Sequence, residues 1–321
     1  MKSKPNKQYA ACRVLIGLNC LVLVSACSPN FKNASMENSP TSGTLNVYYD
    51  EGLEPHVINQ KLTFESQYPH AQINLFLSSE SEAVHALYVD CCEIAVISRG
   101  LSALEKKAFA SKKFFPRYSA VAKSGIALIT NSATPIDKLS YEQMLALLTK
   151  SFVAHDSANR EVPLNVIFDK NNSSVIHYLS DSLLKGAKFS ANCNTLGSTL
   201  ESINYVAKNK NTIAFIDFSW LSDKDDSLYK ANRSRLKFIC IGNQGSKTYE
   251  YPSQSSFKLN TYPLTRTVYV YRKTGDYTLA KGFESFMAGP KGQLIFLKQG
   301  LLPTRQNDRQ VHISIKPLHD E

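Results

Sequence analysis

Apolar and polar residues alternate in short blocks from residue 45 onward, and the period of the alternation switches from block to block. Residues 45–49, 72–77 and 93–97 each read as a strand, short and rich in Val, Ile, Leu, Phe or Tyr. Pro55 opens a helical stretch carrying Val57, Ile58, Leu62 and Phe64, which stops at Tyr68-Pro69. Proline suits a first helical turn and ends a later one. Ser78-Ser79 precede a second helix through Ala83, Leu87 and Tyr88. This strand-helix order predicts a parallel sheet whose loops at the strands' carboxyl ends are the ligand positions. The second half repeats the theme. Residues 126–130, 164–168, 213–218 and 268–271 read as strands, and Ser140 with Gln143 forms a capping box before Met144, Leu145, Leu147 and Leu148. Helices are predicted at 175–184, after Ser198 with Glu201, and at 282–297 with an interruption near Gly289-Pro290.

The N-terminus follows another rule. Lys2, Lys4, Lys7 and Arg13 precede an apolar run at 14–24 that is too short to span a bilayer. Val24-Ser25-Ala26-Cys27 then resembles a bacterial lipobox, with Val24 where Leu is commoner. Cleavage after Ala26 makes Cys27 the lipidated first residue; a plain secretory signal cut at the same place and an uncleaved anchor are the alternatives. Residues 28–42 are polar and rich in Ser, Asn and Pro, the composition of a flexible tether. The expected organisation is a signal peptide at 1–26, a tether at 27–43, and a domain held at a membrane face by lipid alone.

Charge narrows the partners. Of the 37 Lys and Arg, four lie ahead of Cys27, so the remainder exceeds the 27 acidic residues by six. This mild surplus suits small anions or acidic headgroups. The cations are scattered and form no stripe interleaved with aromatics, which argues against nucleic acid. Cys12 and Cys20 leave with the signal; Cys91, Cys92, Cys193 and Cys240 remain, at no metal-ligand spacing, so no metal or other cofactor is expected. A Cys193–Cys240 bridge and simple core packing beside 94–97 are both open.

Three strand-to-helix loops carry residues that hold a small oxyanion. Gly52 and Leu53 lie before the Pro55 helix, Ser78 and Ser79 before the next, and Asn172, Ser173 and Ser174 before a helix of the second half. Helix N-termini present unpaired N–H groups, and Ser or Asn adds neutral donors; the same residues are also the ordinary helix caps. Ser98-Arg99 directly follows a buried strand, so the Arg99 guanidinium is expected to aim its donors at the sheet's carboxyl edge. His177, one turn into the third helix, is a further candidate donor.

These motifs make the chain recognisable. Over about 44–309 it resembles the phosphate ABC-transporter substrate-binding lipoproteins, periplasmic binding proteins of type II in a form typical of the Bacteroidetes. The likeness rests on Phe168-Asp169-Lys170-Asn171-Asn172-Ser173-Ser174, Ser98-Arg99-Gly100-Leu101, residues 213–226 around Trp220-Leu221-Ser222-Asp223, Tyr262-Pro263-Leu264-Thr265-Arg266, and residues 292–303. It implies a two-lobed α/β fold, two mixed sheets flanked by helices with a two-strand hinge. Lobe one is expected at 44–129 plus 262–312 and lobe two at 130–261. Three departures stand out. His177 replaces an arginine of many relatives, the Ser-Gly-Thr form of the loop is absent, and Arg99 stands where many relatives have Asp.

The resemblance therefore implies a non-enzymatic, monomeric, periplasmic protein, anchored through Cys27, that captures inorganic phosphate or a similar oxyanion for an ABC-transporter permease. A phosphate-binding-like lipoprotein with a sensing or protein-interaction role and no anion transport is the alternative. An enzyme is disfavoured, because no GxSxG, HExxH or P-loop is present, and His155 and His177 lack a partner at motif spacing.

Overall fold

The computed structural model describes residues 38–150, 153–155, 161–245, 248–273 and 275–305. The expected signal peptide, Cys27 and most of the expected tether lie outside the described residues, as do the side chain of His155 and residues 306–312 of the expected first lobe.

The chain runs β1 (Gly43–Asp50), α1 (Glu54–Gln67), β2 (Ala71–Ser78), α2 (Glu80–Tyr88), β3 (Ile94–Ile97), α3 (Ala103–Ser111), β4 (Arg117–Asn131), β5 (Lys138–Leu139) and α4 (Tyr141–Thr149). There follow β6 (Val153–His155), β7 (Glu161–Pro163), β8 (Asn165–Phe168), α5 (Ser174–Tyr178), β9 (Cys193–Thr195), α6 (Thr199–Lys208), β10 (Thr212–Asp217), α7 (Ser227–Asn232), β11 (Leu236–Phe238), β12 (Cys240–Gly242) and β13 (Tyr249–Glu250). The last elements are α8 (Gln254–Leu259), β14 (Thr265–Arg272), α9 (Leu279–Ala288), α10 (Pro290–Lys298) and β15 (Leu302–Pro303).

The main sheet has the order β2-β1-β3-β14-β4-β10-β8-β9, with β11 and β15 also on β4. β1 pairs in parallel with β2 and β3, as the strand-helix order predicts, whereas β14 is antiparallel to both of its neighbours. One strand serves both halves. β4 pairs with β14 through Gly125 and with β10 from Ile126 on, so the sheet changes partners between consecutive residues. Ile126 N donates to the Leu264 carbonyl (3.0 Å), and the buried Tyr262 hydroxyl donates to the Ile126 carbonyl (2.6 Å). The result is the two-lobed periplasmic-binding-protein architecture, with the lobes joined where β4 crosses.

In the first lobe α1 and α9 cover one sheet face, where Phe64 meets Phe283 and Phe286 edge-on at 5.3 Å. On the other face Ala83, Val84, Leu87 and Phe109 of α2 and α3 pack on Ala95, Ile97 and Tyr271. In the second lobe α6 lays Ile203, Val206 and Ala207 against β10, β8 and the far half of β4. Because helices flank both faces, β3 and β10 are buried throughout and appear in the sequence as continuous apolar runs.

Local signals translate directly. Ser140 accepts from Gln143 N (3.1 Å) while the Gln143 side chain accepts from Ser140 N (2.8 Å), the reciprocal pair of a capping box. The expected helix at 282–297 is two helices, broken at Gly289 where Pro290 opens the second. The expected helix at 175–184 is the short α5 followed by a π turn at Leu179–Leu183. Residues 38–43 of the expected tether are packed: Asn38 Oδ1 caps Leu279 N (3.0 Å), and a Cβ on Gly282 would lie 1.7 Å from the Pro40 carbonyl oxygen. Only glycine admits that approach.

All four described cysteines are free, so a Cys193–Cys240 bridge is not formed; β9 ends the main sheet and β12 belongs to a separate three-stranded one. Burial pushes the Cys92 and Cys193 thiols up, to about 12 and about 11. No helix of the described residues is long and apolar enough to cross a membrane.

Candidate functional site

The carboxyl ends of four strands meet at one place, and acids cluster there. β1 ends at Asp50, β8 is followed by Asp169, and β10 ends at Asp217; Glu51 and Glu80 open the segments after β1 and β2. All five are at least 95% buried. Carboxylates taken from water must find donors, and for Asp50 and Glu51 the donors come from across the cleft. Ser174 Oγ of the second lobe donates to Asp50 Oδ2 (2.6 Å). Glu51 Oε2 pairs with Lys170 Nζ (2.7 Å), and Glu51 Oε1 accepts from Thr199 N at the start of α6 (3.1 Å). Asn172 Nδ2 donates to Ser79 Oγ (3.4 Å). Asn172 Oδ1 and His177 Nε2 lie 2.6 Å apart.

The lobes approach closely where these contacts form. A Cβ on Gly52 would lie 2.9 Å from Asp217 Cβ and 3.0 Å from Asp50 Oδ2, so glycine is the residue that lets the first loop reach β10.

At the crossing of the strands stands Arg266, 4% exposed, whose β14 position pairs with Ser124 of β4. Its Nη2 pairs with Asp217 Oδ2. Asp217 Oδ1 is held by Ser124 Oγ (3.1 Å), Ser219 N (2.8 Å) and Ser219 Oγ (2.5 Å). Arg266 Nε and Nη1 are buried and find no hydrogen-bond partner among the described residues. A guanidinium cannot shed its proton to escape such a setting. Burial disfavours its charge, yet Asp217, Glu80 and Asp50 together hold it even more firmly protonated than usual. Burial, reinforced by Glu80, raises the Asp50 carboxyl well above the ordinary range, with Arg266 and the Ser174 bond pulling it back. Burial also raises Asp169.

Of the residues singled out from sequence, Ser79, Asn172 and Ser174 form bonds across the cleft, and His177 pairs with Asn172 within the second lobe. Ser173 caps α5, accepting from Ile176 N (3.2 Å). Ser78 turns to its own lobe and donates to the Tyr49 carbonyl (3.2 Å), and the Leu53 side chain belongs to the core. Ser98 donates through N and Oγ to Glu80 Oε1 (both 2.8 Å). Arg99 does not present a free fork: it forms a bidentate pair with Glu105 (2.8 Å each) and reaches Glu80 Oε2 through Nε (3.2 Å). Its charge is neutralised on the first lobe's own carboxylates.

Arg266, which belongs to the run 262–266 but not to the candidate loops, joins them at the cleft. The signal was present, because in β14 it alternates with Val268 and Val270 on the buried face, and a charge in step with core residues marks a specialised position. The acids that terminate the runs at 45–49 and 164–168, and Asp217 within 213–218, were equally legible.

The comparisons with known proteins agree with this architecture. The phosphate-binding protein PstS of Pseudomonas aeruginosa is 21% identical over 311 residues, covering 90% of this chain and 92% of the relative. PstS of Staphylococcus saprophyticus is 22% identical over 198 residues, 59% of this chain and 57% of its own. A Clostridium perfringens protein crystallised with bound phosphate superposes with a TM-score of 0.66 at 19% identity, over 82% of this chain and all of that one. An ABC-type phosphate transport receptor from Vibrio cholerae gives 0.61 at 15% identity, over 80% and 99%. At these identities the superpositions establish the fold. The family model described as the PBP superfamily domain matches residues 34–291, most of the chain, and the protein belongs to that superfamily.

Proposed function

We propose that the cleft captures inorganic phosphate or a closely related oxyanion, and that the chain delivers it to the permease of an ABC transporter. The observation that carries this reading is Arg266, a buried guanidinium with two donors unpartnered among the described residues, amid loops from both lobes. Lys170 and the hydroxyls of Ser79 and Ser174 supply further donors close by. The acids favour a particular anion. A carboxylate inside an anion site repels a fully ionised ligand but accepts a bond from one that still carries a proton. Phosphate and arsenate carry such a proton near neutral pH, and sulfate does not. The similarity to proteins named for phosphate binding supports the same choice. No group in the cleft needs to act as a nucleophile; the work is capture and release by closure of two lobes.

In this reading the lobes are 44–129 with 262–312, and 130–261, bending where β4 changes partners. The mature chain is anchored in the periplasm through lipid on Cys27. Cys27→Ser is expected to leave unprocessed precursor or to release the protein from membranes. A Cys27→Ser protein of mature length that still partitions fully with membranes contradicts the anchor.

The cross-cleft bonds favour a second reading, a sensing or interaction lipoprotein whose cleft no longer takes an anion, because the protein's own carboxylates occupy much of the donor set. Thermal melting separates the two. Phosphate and arsenate at a hundred times their Kd are expected to stabilise the chain by about 2.7 kcal/mol, with sulfate doing little. A melting temperature indifferent to all three anions favours the second reading.

A further inference from the structure

The Glu51 carboxylate reaches from one lobe to the other. Glu51 belongs to the first lobe, in the turn after β1, yet among the described residues the donors to its carboxylate belong to the second lobe: the Lys170 ammonium (2.7 Å), the Thr199 amide at the first residue of α6 (3.1 Å) and the Thr199 hydroxyl (3.5 Å). A cation, a helix-terminal N–H and a hydroxyl are the set that binds a free oxyanion. The Thr199 hydroxyl also lies 3.4 Å from Asp169 Oδ2, so it serves two carboxylates. The backbone of the same residue ties the lobes again, because Trp220 Nε1 donates to the Glu51 carbonyl (3.1 Å).

We propose that Glu51 is a built-in competitor of the transported anion: it latches the two lobes together in the absence of ligand and sets the anion affinity by claiming Lys170. The inference rests on the oxyanion reading of the cleft. When an anion enters beside Arg266, Lys170 passes from Glu51 to the anion, and the closed arrangement is kept with a different negative charge at its centre. Burial opposes the Lys170 charge, but Glu51, with Asp50 and Asp169, more than restores it, so the ammonium is available to either partner. The binding free energy is then reduced by whatever the Glu51 contacts contribute, and an unlatched cleft binds more tightly.

The chain has a single tryptophan, so Trp220 emission reports this joint alone. Glu51→Gln in the full chain is expected to shift Trp220 emission to the red without phosphate, to return to the wild-type maximum when inorganic phosphate is added, and to bind phosphate about tenfold more tightly by calorimetry. Reversal by phosphate is the part that a merely damaged fold does not reproduce. Lys170→Gln opens the latch from the other side; it is expected to give the same red shift but to weaken phosphate, and it serves should Glu51→Gln fail to fold. Equal or weaker phosphate binding by Glu51→Gln, or an unchanged emission maximum in both variants, overturns the competitor while the oxyanion reading stands. No heat from wild type or variants with phosphate or arsenate overturns the oxyanion reading, and the competitor with it.

Discussion

Arg99 and Arg266 both lie near Glu80, and they show opposite ways of burying a guanidinium. Arg99 follows β3 in a loop, keeps some solvent contact, and directs its donors to Glu105, Glu80 and the Gly100 carbonyl. Arg266 lies inside a strand at the joint between the lobes, with one nitrogen on Asp217 and two without partners among the described residues. The first arginine stabilises its own lobe; the second is a preorganised cation facing the other. A sequence shows where a cation is placed, but whether its donors are already engaged depends on acids brought in from elsewhere. Here Glu80 is 19 positions from Arg99, and Asp217 is 49 from Arg266.

This contrast can be broken in order of expected effect. Removing Arg266 alone leaves Asp217 as a buried, uncompensated charge, at a cost of about 3–5 kcal/mol. Arg266→Gln with Asp217→Asn removes both charges and is expected to preserve the fold while weakening phosphate by about 100-fold or more, on the scale of a charge-assisted contact made in a sheltered site. Melting curves establish the fold and calorimetry the loss. Phosphate affinity within threefold of wild type in that pair removes Arg266 from the site.

Ser173→Ala with Ser174→Ala comes next. Ser174 links the second lobe to Asp50, and Ser173 caps α5. Loss of the cap lowers stability by about 1 kcal/mol, and loss of the hydroxyls is expected to weaken phosphate about tenfold. Both are read from the same melts and titrations.

Asp50→Asn tests the cleft's electrostatics. With its pKa raised in the folded state, protonated Asp50 favours folding; that contribution is full below its unfolded value near 4 and is lost as pH rises through the folded value. Asn in its place is therefore expected to raise the melting temperature more at pH 8 than at pH 5. A difference independent of pH, or larger at pH 5, contradicts the assignment.

Arg99→Gln is expected to give the smallest change in binding, within about threefold for phosphate. Its effect belongs to stability instead, because the Arg99 bonds overcome burial and hold the Glu105 carboxyl below its usual range. A hundredfold loss of phosphate affinity in Arg99→Gln reverses the comparison of the two arginines.

Much of the scaffold was legible because it obeys local rules. Continuous apolar runs marked β3 and β10, which are covered on both faces, and Ser140 with Gln143 marked the start of α4. Gly289-Pro290 marked the break between α9 and α10. The two- and three-residue strands β5, β7, β12 and β13 were not legible, since their pairing is set by tertiary neighbours and not by pattern. Helix α3 was missed because it buries only Phe109 and so lacks an apolar stripe. In the site, the neutral donors Ser79, Asn172 and Ser174 could be read from their places before helices. The acids themselves stand in plain view at the strand ends, but their pairing with these donors could not be read, because Asp50 lies 124 positions from Ser174 and Glu51 lies 148 from Thr199, separations that only the crossing of β4 brings together.

The most direct test is a calorimetric titration of the wild-type chain with phosphate and, separately, with sulfate at neutral pH. The account predicts saturable one-to-one binding of phosphate and sulfate affinity weaker by about 100-fold or more, because the buried acids accept a bond from a protonated oxyanion and repel a fully ionised one. Saturable binding of sulfate at equal strength, or no saturable heat with either anion, contradicts it.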